Sequence, residues 1–181
     1  MKFLSMDIET TSLSPKTGEI LELAIVLRDT NFRAFYLTKT IKLQVEKWET
    51  STIAFHLAQG TLEYHLNQVD RIPKDHLASV VKHTLQSWGV NERLTVVGKN
   101  FGSFDLNFLR ECKDWISPEG QYYYHKTRIL DLGNLYRDGL NIPSLPEIMK
   151  SNKPIIAPQC LGELKPHMAL WGEAISVAAR R

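Results

Sequence analysis

Short apolar runs broken by turn residues dominate the first quarter of the chain. Residues 3–8 are mostly apolar and run into acidic and hydroxyl side chains, which predicts a buried strand opening into a loop, with residues 14–18 (SPKTG) as its turn. Residues 19–28 (EILELAIVLR) are rich in Ile, Leu and Val and predict a second strand. After a tight turn at 29–31, residues 32–43 alternate as a third, antiparallel strand. The period then changes. Residues 48–59 predict a helix stopped by Gly60. Residues 75–88 predict a clearer one: Leu77, Val80, Val81, Thr84, Leu85 and Trp88 share a face, Asp75 can cap it, and Gly89 ends it. Residues 94–97 (LTVV) form a fully apolar fourth strand, followed by a loop at 98–103 and a helix over 104–112. Further on, 122–124 reads as a short extended piece, 130–137 and 145–150 as helices, and 167–179 as a terminal helix, with Pro143, Pro146, Pro154, Pro158 and Pro166 between them. Strands followed by helices, with no internal repeat or linker, predict one α/β domain over residues 1–181 built on a mixed sheet.

Composition narrows this only slightly. A chain of 181 residues with 43% hydrophobic and 23% charged residues is an ordinary soluble domain with one core. The net charge of +2 announces no basic field. It does not exclude a nucleic-acid binder either, because acidic metal ligands cancel basic substrate contacts in the sum. Cys112 and Cys160 are far apart, match no zinc-ligand spacing, and read as reduced intracellular thiols. The start, MKFLSMDIET, is no signal peptide, and no apolar run approaches the roughly 18–20 residues that cross a bilayer. The expectation is a cytoplasmic protein without a membrane partner.

Three places carry candidate chemistry. Asp7 and Glu9 sit two apart at the end of the first strand, so a strand's period of two puts both carboxylates on one face. Carboxylates held that close repel unless a cation or shared proton intervenes, and hard divalent ions prefer such oxygen ligands. An isolated Asp-x-Glu is more often a merely solvated strand end. Asp105, in NFGSFD after the fourth strand, falls at a strand-to-helix junction of the kind where open α/β sheets bind ligands; a plain helix cap is the competing reading. His167, ahead of the terminal helix in HMALWGEA, is either a packing residue or a general base suited to neutral pH.

In chain order, DIETTSLSP, NFGSFDLNFL and HMAL resemble the three exonuclease motifs of the DEDDh superfamily of 3′→5′ exonucleases, which includes proofreading subunits and oligoribonucleases. RILDLGNLY is similar to the family's helix-opening segment, with Asp131 at its acidic position. The resemblance runs from residue 3 to about 178, with a poorly matched stretch at roughly 45–74. It implies a ribonuclease H-like fold, a mixed five-stranded sheet flanked by helices. It also implies two Mg²⁺ or Mn²⁺ ions about 3.5–4 Å apart that clamp the scissile phosphate. Asp7 would then bridge both ions, Glu9 would bind the water-activating one, Asp105 would serve the second, and His167 would take the proton of the attacking water. Thr10 through its backbone and Leu13 as an apolar wedge would meet the terminal nucleotide, while Asn100 and Phe104 would frame the sugar and the site wall. The implied partners are single-stranded 3′ ends of DNA or RNA, or short oligonucleotides; a homodimer and association with a polymerase both remain open.

One position departs from the pattern. The family's third motif places an aspartate five residues after its histidine, and here that position is Gly172, followed by Glu173. The missing carboxylate serves the water-activating ion, so the departure implies impaired catalysis. A glycine inside a helix costs about 1 kcal/mol relative to alanine, so local stability does not explain it. Glu173 is a poor substitute, because one helical step turns a side chain by about 100°. The alternative is a catalytically inactive nucleic-acid-binding or polymerase-associated module of the same fold. A different metal hydrolase built on the histidines is disfavoured, since they show no His-x-x-x-His or Cys–His spacing. Trp48, His56, His65 and the tyrosines at 122–124 could stack on bases, although core packing is the commoner use of such residues.

Overall fold

The computed structural model describes residues 2–29, 36–98, 100–115 and 124–131. His167, Gly172, Glu173 and the helices expected at 145–150 and 167–179 lie outside the described residues, as does the part of the 130–137 helix beyond Asp131.

The N-terminal strands form as their patterns predict: β1 (Lys2–Thr10), β2 (Ile20–Asp29) and β3 (Tyr36–Leu43) pair antiparallel in sequence. After them come α1 (Thr50–Ala58), α2 (Leu62–Leu66), the two-residue β4 (Arg71–Ile72), a single 3-10 turn (Lys74–His76) and α3 (Leu77–Ser87). The apolar LTVV run becomes β5 (Leu94–Gly98), parallel to β1, and is followed by α4 (Asp105–Arg110) and β6 (Tyr124–Asp131). The sheet order is β4-β3-β2-β1-β5-β6. Its five longer strands make the expected mixed sheet, and the short β4 extends it beside β3.

Register separates structure from chemistry. Leu4, Met6 and Ile8 of β1 stand opposite Leu27, Ile25 and Leu23 of β2. These six join Leu77, Val81 and Leu85 of α3 and Leu106, Phe108 and Leu109 of α4 in one buried core. Full burial of such side chains contributes about 1.5–3 kcal/mol each, which fixes the strand register. The alternate positions of β1, Ser5, Asp7 and Glu9, therefore point to the other face, where they stand opposite Val26, Ala24 and Glu22.

Two local expectations change. Asp75 lies inside the 3-10 turn rather than capping α3, whose preceding residue is His76 and which has no side-chain cap. The turn after Pro73, closed by the His76 N–H on the Pro73 carbonyl at 3.0 Å, displaces the helix start by two residues. Leu130 and Asp131 end a strand instead of opening a helix, because they pair with Val97 and Gly98 of β5. Pairing with a buried parallel neighbour outweighs a local helical pattern there. Among the described residues no helix is long and apolar enough to cross a membrane.

Candidate active site

Each of the site residues selected from the sequence and falling within the described segments lines one cleft of about 860 Å³: Asp7, Glu9, Thr10, Leu13, Asn100, Phe104 and Asp105. They come from the end of β1, the loop after it, and the junction between β5 and α4. One link across these elements is the Ile8 backbone N–H, which donates to Asp105 Oδ1 at 3.0 Å. That bond ties α4's first residue to the strand carrying Asp7 and Glu9, although 97 positions separate the two residues. Asp105 is 3% exposed and Glu9 8%, whereas Asp7 is half-buried at the cleft.

The β5–α4 junction is built by two backbone devices. Gly98 ends β5 where an added Cβ would lie 2.9 Å from the Phe101 Cβ and 3.1 Å from the Met6 carbonyl, so the loop can pack this closely only on glycine. Asn100 takes a left-handed φ of 56°, which asparagine tolerates better than most residues. Its carbonyl accepts the backbone N–H groups of Ser103 (3.0 Å) and Phe104 (2.9 Å). Phe104 is half-buried and its ring lies 5.2 Å from that of Phe108, so it is both cleft wall and core packing.

The loop after β1 is pinned along its length. Thr11 exchanges two hydrogen bonds of 2.9 Å with Glu19, one through its backbone N–H and one through its hydroxyl. Thr17 donates to the Glu49 carboxylate at 2.5 Å, and the Glu49 N–H returns to the Thr11 carbonyl at 3.0 Å. The hydroxyls of Thr17 and then Ser12 hold the Glu49 carboxyl below its ordinary range. Leu13 nevertheless stands 80% exposed on this anchored loop, so core packing does not account for it.

Part of the cleft's lining was not singled out as such from the sequence. Ser51, Thr52, Phe55 and His56 of α1 line the same cleft. Phe55 is 50% exposed there. It falls in the stretch at 45–74 that matches the exonuclease pattern poorly, and an aromatic residue on a short helix carries no signal of its own. Of the residues considered for base stacking, His56 and His65 are each only 1% exposed, which removes them from that role. Instead their rings pack edge to face, 4.7 Å apart, with a ring nitrogen of each near the Glu9 carboxylate. A turn at Gly60, with φ of +70°, folds α2 back and makes this convergence, which no His-x-x-x-His spacing encodes.

Behind the histidines lies a polar clamp. Tyr64 donates to Glu22 at 2.8 Å, and Glu22 stands opposite Glu9 across the β1–β2 ladder. Arg71 donates to the Leu43 carbonyl at 2.6 Å and also to the His65 carbonyl. Burial pulls the Arg71 guanidinium below its ordinary range, opposed by the negative charge of Glu22. Together these bonds hold α2 against the sheet edge.

The three carboxylates fit a hard divalent cation on chemical grounds. Asp7, Glu9 and Asp105 line one cleft and offer an oxygen-only donor set of the kind hard divalent cations take.

Sheet order, strand directions and helix placement define a ribonuclease H-like α/β fold. Searches against protein families and curated proteins return no match. Among solved structures the chain is similar to E. coli exonuclease I in complex with a 5cy-dT13 oligonucleotide, with a TM-score of 0.67 and 15% identity over 99% of this chain and 41% of that one. The zinc-bound E. coli exonuclease I complex with single-stranded DNA gives 0.64 and 15%, covering 94% and 39%. Product-bound exonuclease I gives 0.64 and 14%, covering 97% and 43%. The chain thus spans about two fifths of the length of these neighbours.

Proposed function

We propose that this chain is a metal-dependent 3′→5′ exonuclease domain that acts on single-stranded ends of DNA or RNA, with its turnover reduced by Gly172. The observation that carries the reading is the convergence of Asp7, Glu9 and Asp105, from two distant parts of the chain, on one cleft. Likeness of the fold to exonuclease I bound to single-stranded DNA supports the same substrate class. Asp7, Glu9 and Asp105 would hold Mg²⁺ or Mn²⁺, which when bound supplies water activation and charge neutralisation at a phosphodiester. The chain's own residues do the rest. The backbone of Thr10 positions the terminal nucleotide, and exposed Leu13 wedges against its base. Phe55, across the cleft, offers a second apolar face for that base. Asn100 and Phe104 bound the sugar. His167 would accept the proton of the attacking water, a task that requires its neutral form.

Gly172 favours a second reading, a binding module that kept the cleft and lost the reaction. Product analysis on 5′-labelled DNA and RNA, with Mg²⁺ and with Mn²⁺, separates the two. The enzyme reading expects stepwise release of mononucleotides, and expects Gly172→Asp to speed it at least ten-fold, about 1.4 kcal/mol of barrier. Binding without metal-dependent release, in parent and variant alike, leaves the module.

A further inference from the structure

Glu9 has a second set of neighbours that the nuclease reading does not use. One carboxylate oxygen of Glu9 and one ring nitrogen each from His56 and His65 lie within 4.8 Å of one another. All three side chains are buried, at 8%, 1% and 1% exposure. A buried pair of imidazoles beside a carboxylate is a different donor set from the oxygen-only face of Asp7, Glu9 and Asp105. Hard ions such as Mg²⁺ discriminate against nitrogen, whereas two histidines and one glutamate suit Zn²⁺ with a position left open.

We propose that Glu9, His56 and His65 form a Zn²⁺ site, and that zinc bound there withdraws Glu9 from the Mg²⁺ or Mn²⁺ centre. The second clause rests on the exonuclease reading; the first does not. The geometry asks for little movement. Bonds of about 2.0–2.2 Å in a tetrahedral site set ligand atoms roughly 3.3–3.5 Å apart, so small side-chain rotations close the present spacing. A supporting shell is also in place. Thr61 Oγ1 lies 3.2 Å from His56 Nδ1 and 3.3 Å from the His56 carbonyl. A hydroxyl that donates to that carbonyl accepts from Nδ1–H, the tautomer that leaves Nε2 as a ligand. In the absence of zinc the ring can instead donate from Nε2 to the Thr10 carbonyl at 3.3 Å, so the two states differ by a tautomer shift. His65 is held by the Arg71 bond to its carbonyl and by the ring of Tyr64, 5.1 Å away.

The test is metal binding by the full chain, read without nuclease activity. After chelation, equilibrium dialysis should return one Zn²⁺ per chain that His65→Gln weakens by about 100-fold, while Asp7→Asn changes it less than about three-fold. Co²⁺ in the unaltered chain should give the intense visible bands of a four-coordinate nitrogen–oxygen site. That spectrum decides the matter even if His65→Gln does not fold. No zinc uptake, uptake indifferent to His65→Gln, or a weak six-coordinate Co²⁺ spectrum overturns the proposal and leaves the histidines as packing around Glu9. If zinc binds as described but no nuclease activity exists, the site stands and only the competition falls.

Discussion

The two walls of the cleft are held in different ways. On the sheet side, Asp7 and Glu9 sit where β1 pairs with β2, beyond the Phe3–Ser5 stretch that also pairs with β5, and Asp105 is bonded to the backbone of that strand. On the helical side, α1 meets the site through the His56 ring on the Thr10 carbonyl and the Glu49 N–H on the Thr11 carbonyl, and α2 depends on Tyr64 and Arg71. Asp7 and Glu9 are thus placed by the main-chain ladder to β2 and Asp105 by its own side-chain bond, whereas the α1 wall is held by one main-chain bond and a ring contact. A ladder fixes position whatever the neighbouring side chains are, whereas side-chain contacts can be exchanged one at a time. On the proposed function the metal ligands stand on the first wall, and Phe55 on the second adds a contact for the terminal base.

Substitutions can break that division. Asp7→Asn should lower kcat by about 1,000-fold, roughly 4 kcal/mol of barrier, with KM changed little, because it removes charge complementarity and leaves the ladder intact. Steady-state kinetics on a labelled oligonucleotide in Mg²⁺ would check it; a loss confined to KM would move Asp7 out of the chemistry. Phe55→Ala should show the opposite pattern, a KM raised about ten-fold at nearly constant kcat, since base stacking on one ring contributes about 1–3 kcal/mol. Equal effects of the two variants on kcat would erase the distinction between the walls.

The smallest expected effect probes the seal behind the acidic wall. Cys112 lies just past α4, buried, and burial pushes its thiol up to about 11, with nearby Lys74 opposing and Asp75 and Glu111 adding to the rise. Because the shift favours the neutral thiol, roughly a thousandth is thiolate at pH 8. A thiol reagent followed by peptide mapping should leave Cys112 unmodified in the native protein and modify it in denaturant. Rapid native labelling would mean that α4, and Asp105 with it, opens readily.

How legible each wall was follows from the same difference. Period two placed Asp7 and Glu9 on one face of the first strand, and the structure puts Leu4, Met6 and Ile8 on the opposite, core face. The face of α3 was also readable, with Leu77, Val81 and Leu85 buried in it. On the helical side, α1 was readable within 48–59, but its place at the cleft was not. Helix α2 is five residues long, too short for a periodic signal, and Phe55 on α1 carries no motif. The convergence of His56 and His65 on Glu9 is a tertiary event between positions with no motif spacing. Strand β6 was partly misread at Leu130 and Asp131 because its pairing with β5 is invisible to a local window.

One feature of β1 bears on how this sequence can change through descent. Leu4, Met6 and Ile8 occupy one parity of the strand and Asp7 and Glu9 the other, with a register shift after Glu9. Losing a single residue between Leu4 and Asp7 would exchange the two sets, sending carboxylates toward the apolar core and methyl groups toward the cleft. Folding and chemistry would fail together. Substitutions can explore this strand one face at a time, but insertions and deletions there must come in pairs, so length variation among descendants should spare the strand.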